Sequence, residues 1–322
     1  MKKLIGIIIV VVLIAILFII HPAEKMKKIR IGYCPLNADL PFFVALDKGY
    51  FRELGLDIEP IKCGDSSEAL NALLANKVDL IAPISFSAFF SIEAEAPGQI
   101  KIFLPGGETE GNIVSYLLIR KDSTISSIEE LRGKKIGTYT GVTQLLYLKL
   151  FLKKVGIDPE KDVQIIQVGP NLQAQALDAE QFDALFTVEP YATIAITKGI
   201  AKPLVENPRS RYIVDPFISG AAGVSSKFLE KHPEEVKKIY KSMAKAVDFI
   251  RSNESEAKNL LPKYTPLEQQ VAQQAGLYRF YKIDEPFDMA AVQKLSDLLY
   301  EYEILNRRVE AQEMFLLKEQ LE

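Results

Sequence analysis

Leu73–Ser85 reads LLANKVDLIAPIS and Leu177–Glu189 reads LDAEQFDALFTVE. Each segment closes a helical stretch on a leucine, turns through polar residues, reaches an aspartate (Asp79, Asp183) and enters an apolar run of strand length. The offset between them is 104 residues, and upstream IRIGYC (Ile29–Cys34) and KKIGTY (Lys134–Tyr139) align through Gly32 and Gly137 at an offset of 105. Two copies of a strand–helix module at a nearly constant offset predict two similar α/β lobes, against the alternative of chance similarity between α/β segments. Within the first copy, LDIEPIKC predicts a second strand and Asp65 and Glu68 form a D-x-x-E capping pattern; between the copies, IKIFL and IVSYLLIRK predict two further strands. Ser126 and Glu129 repeat the capping pattern, and Asp39 precedes a helix carrying Pro41 in its first turn. Strands separated by helical segments predict parallel pairing through right-handed crossovers.

The 322 residues suffice for two domains. Hydrophobic residues at 48%, charged residues at 25% and a mean hydropathy of +0.07 exclude a disordered or collagen-like chain. Of the 39 basic and 42 acidic side chains, the first 28 residues hold five and one, which leaves 34 against 41, about −7, for the body. That sign disfavours nucleic acid as a partner. Histidine is limited to His21 and His232, which argues against triad hydrolases and histidine-ligated metal enzymes. No cofactor or metal is expected, and Cys63 with Asp65 gives too few ligands for zinc.

Leu4–Ile20 contains no polar side chain and follows Lys2 and Lys3; as a helix it is about 25 Å long. It reads as an uncleaved membrane anchor, with a cleaved signal peptide as the alternative. Lysines on both sides (Lys25, Lys27 and Lys28 after it) leave orientation weakly specified, and an extracytoplasmic body is the expectation.

Over residues 29–320, the ordered set GYFRELGLDIEP, NALLANKVDL, LIRKDSTISSIEELRGKKIG, FDALFTVEPYA and GVSSKFLEKHPEEVKK resembles the nitrate/sulfonate/taurine and thiamine-precursor (NMT1-like) group of ABC-transporter substrate-binding proteins. The resemblance implies a type II periplasmic-binding-protein fold, in which the chain crosses twice between two α/β lobes that hold ligand in their cleft. The crossings are expected near Asn112–Lys121 and Ser219–Lys227. Residues 29–115 and 220–322 then form lobe 1, 116–219 form lobe 2, and 1–28 are the leader and linker. The resemblance also implies an ABC permease as partner. A biosynthetic enzyme of the same fold, of the pyrimidine or menaquinone precursor type, and a sensory ectodomain are the alternatives.

Ligands of open α/β sheets bind beyond the carboxyl ends of the strands, where helix N-termini present free N–H groups. In lobe 1 that rule selects Asn37, Leu40, Pro41, Phe42, Asp65, Ser85, Phe86 and Ser87. In lobe 2 it selects Tyr139, Thr140, Gly141, Thr143, Gln144, Glu189 and Tyr191. The TYTGVTQ loop reads either as an oxyanion cradle or as a helix start capped by Thr140. Ser85 and Glu189 occupy equivalent positions in the two copies and are expected to face one another. Glu189 is an expected acceptor for a ligand N–H, and Phe42, Phe86, Tyr139 and Tyr191 are expected stacking faces or core. The six loops hold no arginine or lysine, which favours a zwitterion or polar ring over a purely anionic ligand, although sulfonate, taurine, nitrate and pyrimidines all remain in range. Cys34 and Cys63 end neighbouring strands, as a disulfide or as two separate thiols. HPEEVKKIYKSMAKAVDFI carries an apolar stripe at Val236, Ile239, Tyr240, Met243, Val247 and Ile250, and the C-terminal hundred residues read as packing elements.

Overall fold

A computed structural model of the chain describes residues 28–321. The leader, including the apolar run Leu4–Ile20, lies outside the described residues; among these, no helix is long and apolar enough to cross a membrane.

Among the described residues, eleven strands form two sheets. The first contains β1 (Ile29–Tyr33), β2 (Ile58–Lys62), β3 (Leu80–Ser85), β4 (Ile100–Glu108), β10 (Phe217–Ser225) and β11 (Arg279–Phe280), in the order β11-β4-β10-β3-β1-β2. The second contains β5 (Ser115–Arg120), β6 (Lys135–Tyr139), β7 (Gln164–Val168), β8 (Ala184–Val188) and β9 (Ala201–Glu206), in the order β7-β6-β8-β5-β9.

The repeat is physical. Asp79 Oδ2 accepts the Arg30 backbone N–H at 3.0 Å, and Asp183 Oδ2 accepts that of Lys135, 105 residues further on, at 2.8 Å. Each aspartate thus ties the start of the third strand of its module to the first strand. Asn76 and Glu180, in the turns before them, both take left-handed φ values of 55° and 56°. Gly32 and Gly137 occupy the same strand position; at Gly137 a Cβ would lie 2.6 Å from the Phe182 ring.

The sheets are mixed rather than parallel. β1, β2 and β3 run parallel, as do β6, β7 and β8, but β10 is antiparallel to β3 and β4, and β5 is antiparallel to β8 and β9. β11 also pairs antiparallel with β4, and the exceptions at β5 and β10 share one cause: β5 follows directly on the first sheet and β10 follows the second. A strand arriving from the opposite sheet starts at the end where the parallel strands finish, so it must run against them. The chain leaves the first sheet after Glu108 and joins the second at Ser115; it leaves the second after Glu206 and re-enters the first at Phe217. Both crossings therefore lie upstream of the strands to which the sequence assigns them.

Apolar side chains fill both faces of each sheet, and every residue of the predicted stripe on the Pro233–Ser252 helix is buried. Cys34 and Cys63 are buried free thiols, not a disulfide. The register pairs Tyr33 with Lys62, so the cysteines continue a parallel pair. Parallel neighbours stand about 4.8 Å apart with side chains pointing the same way, wider than the Cβ spacing of about 3.8 Å that a disulfide prefers.

Candidate functional site

The parallel strands of both sheets deliver their carboxyl ends to the region where the chain crosses. The Val142–Lys154 helix begins there at Gly141, whose φ of 146° strains any other residue, and the helix has no side-chain cap. Thr140 therefore does not act as its cap. The Gly141 N–H is taken by Gln167 Oε1 at 3.2 Å. Thr143 is half-buried, and Gln144 Oε1 is buried without a hydrogen-bond partner.

Lobe 1 loops are more fully committed to structure. Asp65 Oδ1 caps the Ser66–Leu74 helix through the Glu68 N–H at 2.8 Å, and Glu68 returns a bond to the Gly64 N–H at 2.6 Å. Ser85 and Ser87 pair through their hydroxyls at 3.0 Å, while Ser66 Oγ accepts the Ser85 N–H at 3.2 Å. Phe42 packs among Tyr33, Phe43 and Phe51, and Phe86 among Phe89, Phe90 and Phe315; both are buried core rings rather than stacking faces. Leu40 and Pro41 are buried beside Phe42. Asp39 precedes that helix but caps nothing: it is 0% exposed, and among the described residues no donor reaches either carboxylate oxygen in good hydrogen-bond geometry, the Leu36 and Cys34 backbone being the nearest favourable groups. Burial pushes its carboxyl well above the ordinary range, against weaker opposition from the Leu36 and Cys34 backbone.

The two lobes meet on a strap from the C-terminal part of the chain. Asn37 Nδ2 donates to the Gly276 carbonyl at 3.2 Å, and the Gly276 N–H donates to Glu189 Oε1 at 3.2 Å. Glu189 also accepts Thr193 Oγ1 at 2.8 Å, and desolvation raises its carboxyl above the ordinary range. Its partners are thus Gly276, Thr193 and the Tyr116 hydroxyl, none of them in the Ser85 loop. At Gly276 a Cβ would stand 1.9 Å from the Ile113 carbonyl oxygen, so only glycine lets the strap pass the first crossing.

The floor of this region holds two groups absent from the sequence reading. Arg209 Nε donates to Glu108 Oε1 at 2.9 Å, with both side chains almost completely buried. The guanidinium lies 4.6 Å from the centre of the Phe217 ring, and Tyr147 packs edge-on to the same ring at 4.8 Å. Burial works against the charge on Arg209, but Glu108 and the nearby tyrosines outweigh it, so the guanidinium is held more firmly protonated than usual. Its charge reaches Tyr139, Tyr147 and Tyr278; burial raises all three phenols, Tyr278 to about 12. Tyr191 adds a weaker electrostatic push in the same direction at both Tyr139 and Tyr278. The site thus joins β4, the loops after β6 and β8, the second crossing and the strap. Glu108 and Arg209 are 101 residues apart and meet only through topology; Asn207-Pro208, a turn and helix start inside a crossing, is the one local signal that precedes Arg209.

Similar proteins share this architecture. A candidate aliphatic sulfonates-binding protein of Bacillus subtilis is 25% identical over 325 residues, covering 94% of this chain and 93% of that protein. A 4-amino-5-hydroxymethyl-2-methylpyrimidine phosphate synthase of Saccharomyces cerevisiae is 24% identical, covering 70% of this chain and 67% of the synthase. The crystal structure of the periplasmic aliphatic sulphonate binding protein of Escherichia coli superposes with a TM-score of 0.74 at 17% identity, covering 91% of this chain and 92% of that one. The periplasmic nitrate-binding protein of Synechocystis superposes with a TM-score of 0.70 at 12% identity, over 89% and 84% of the two chains. The fold is therefore that of the periplasmic binding proteins. The NMT1-like family model matches residues 22–261, and the chain belongs to the NMT1-like family.

Proposed function

We propose that the chain is an extracytoplasmic solute-binding protein that captures a small polar or anionic ligand by lobe closure and delivers it to an ABC-transporter permease. Lobe 1 is built on the first sheet, residues 29–108 and 217–321, and lobe 2 on the second, residues 115–206, so the expected bounds at 115/116 and 219/220 move upstream to the observed crossings; the apolar run Leu4–Ile20 anchors the protein to the membrane. The bridge from Glu189 through Gly276 to Asn37 carries this reading, because it ties the strand ends of the two sheets together across the region where the polar groups converge. A ligand touching loops of both lobes favours the closed state by the contacts it makes only there. The full-length similarity to a candidate sulfonates-binding protein supports a receptor.

The synthase relatives keep an enzyme as the second reading. Among the described residues the only histidine is His232, which packs on Phe228 at 4.7 Å at the start of the Pro233–Ser252 helix, so no imidazole reaches the cleft. Calorimetry across sulfonates, taurine, nitrate and aminopyrimidines, with product analysis in parallel, tests the proposal. Stoichiometric binding without turnover is expected; catalytic conversion of a probe refutes it. Retention of the protein in washed membranes with its leader intact is the expected result for the anchor.

A further inference from the structure

The outer edge of the first sheet encloses a cavity away from the crossings. β4 is met twice along that edge: β11 covers Gly106 and Gly107, and Phe315 bridges to Ile102, whose carbonyl takes the Leu316 N–H at 2.9 Å. Between these contacts, residues 103–105 have no strand on that side among the described residues, and Leu104 takes a left-handed φ of 50°. Such a break in the pleat bends the strand away from its neighbours. A cavity of about 190 Å³ opens there, bounded by β4, by the Tyr281–Met289 segment and by the C-terminal segment through Leu321. None of the cleft residues named above lines it. Pro105, which does, lies three residues before Glu108, about 10 Å along the strand.

The lining selects the guest. Phe103, Tyr240, Tyr281, Phe287 and Phe315 present rings, and Met289 adds an adaptable thioether, surfaces that favour tilted and edge-on contacts with another ring. The Tyr240 hydroxyl is occupied, accepting the Ile283 N–H at 2.7 Å. The charged residues on the border are committed too: Lys282 Nζ to Asp248 at 2.8 Å, and Glu285 to both terminal nitrogens of Arg251, while Lys318 is engaged as well. An ion entering the cavity would give up its hydration without gaining a partner. An apolar cavity of about 150 Å³ lined by leucine, isoleucine and phenylalanine stays dry and takes up benzene. At about 190 Å³ this one has room for a single substituted ring or a small fused pair.

We propose that this cavity is a binding site in lobe 1 for one uncharged aromatic molecule of the size of indole or toluene, separate from the cleft. It stands whatever solute the cleft takes. The test uses the full chain, with calorimetry and thermal melting against indole, toluene, benzoate and benzylamine at neutral pH. The wild type is expected to take up one indole or toluene per chain and to melt at a higher temperature in its presence, because a guest touching both bounding segments binds only the folded state. Benzoate and benzylammonium are expected to bind at least tenfold more weakly. Ile283 lines the cavity and is half-buried, so Ile283→Trp places a ring in the space; the chain has no tryptophan of its own, and the emission of the new one reports where it sits. That variant is expected to emit as a buried indole and to lose at least tenfold in affinity for indole and toluene. Charged rings bound as tightly as neutral ones, no binding of either neutral ring, emission from an exposed tryptophan, or buried emission with unchanged affinity overturns the inference. If Ile283→Trp does not fold, Met289→Trp, which fills the cavity from another wall, is held to the same outcomes.

Discussion

Replacing Asn207 with alanine tests whether the two crossings are held as one unit. Asn207 is 0% exposed and sits in a left-handed conformation with φ 51°. Its Oδ1 accepts the Val114 N–H at 3.0 Å, and its Nδ2 donates to the carbonyls of Thr109 at 2.7 Å and Asn112 at 3.2 Å. One side chain on the return crossing thus binds three points on the outward one. Alanine leaves the buried Val114 N–H without a partner, a cost of about 1–3 kcal/mol. The two lost carbonyl bonds add less, because the Thr109 carbonyl keeps the Asn112 N–H at 3.0 Å and Asn112 is half-exposed. A left-handed conformation adds about 1 kcal/mol for alanine, which glycine avoids. The expected loss is roughly 3–5 kcal/mol for Asn207→Ala and about 1 kcal/mol less for Asn207→Gly. Urea denaturation of both variants beside the wild type measures it. An alanine variant within about 1 kcal/mol of wild type would refute the reasoning, because that is less than the cost of one orphaned buried donor. Glycine less stable than alanine would refute the conformational part.

Three further perturbations follow from the site. Gly276→Ala drives a methyl group into the Ile113 carbonyl and pulls the strap from Glu189, so affinity for the best ligand in calorimetry should fall about tenfold or more; unchanged affinity excludes the strap from closure. Asp39 has a folded-state pKa above its ordinary 3.8, so the stability it contributes is present below pH 3.8 and is lost as the pH rises through the raised value. Asp39→Asn should therefore melt a few degrees above wild type at neutral pH, with the gap closing as the pH falls toward 3.8; a gap that does not change with pH rules this out. Burial first, and then neighbouring carboxylates, raises the Cys34 and Cys63 thiols, so a thiol reagent at neutral pH should label neither in the native protein and both after unfolding without reductant. Absence of labelling after unfolding would reveal a disulfide.

Local pattern carried the repeat into the structure. Asp79 and Asp183 stand out in the sequence because each precedes an apolar run, and each proves to tie two strands together. The stripe on the Pro233–Ser252 helix is legible for the same reason: a helical period records which face is buried. The sense of β5 and β10 was not legible, because periodicity encodes strand character and not the end from which a strand enters its sheet. Phe42 and Phe86 lie beside strand ends yet point into aromatic clusters, a distinction that proximity in sequence does not make. Tyr278 and Gly276 were hidden within a region whose helical pattern speaks only of packing. Glu108 and Arg209 escaped because each looks like an ordinary charge at the end of an element; their burial exists only once both crossings are in place.

The ion pair of Glu108 and Arg209 sits where the chain crosses, whereas the strap contact joins the loops at the strand ends. When two bodies rotate about such a floor, the floor is the part that moves least. A solute that gains equal contacts in open and closed forms shifts no equilibrium however tightly it binds. A solute that touches only the floor and fails to reach the Gly276 strap would fill a cleft without shutting it, so occupancy and closure are separate quantities to measure.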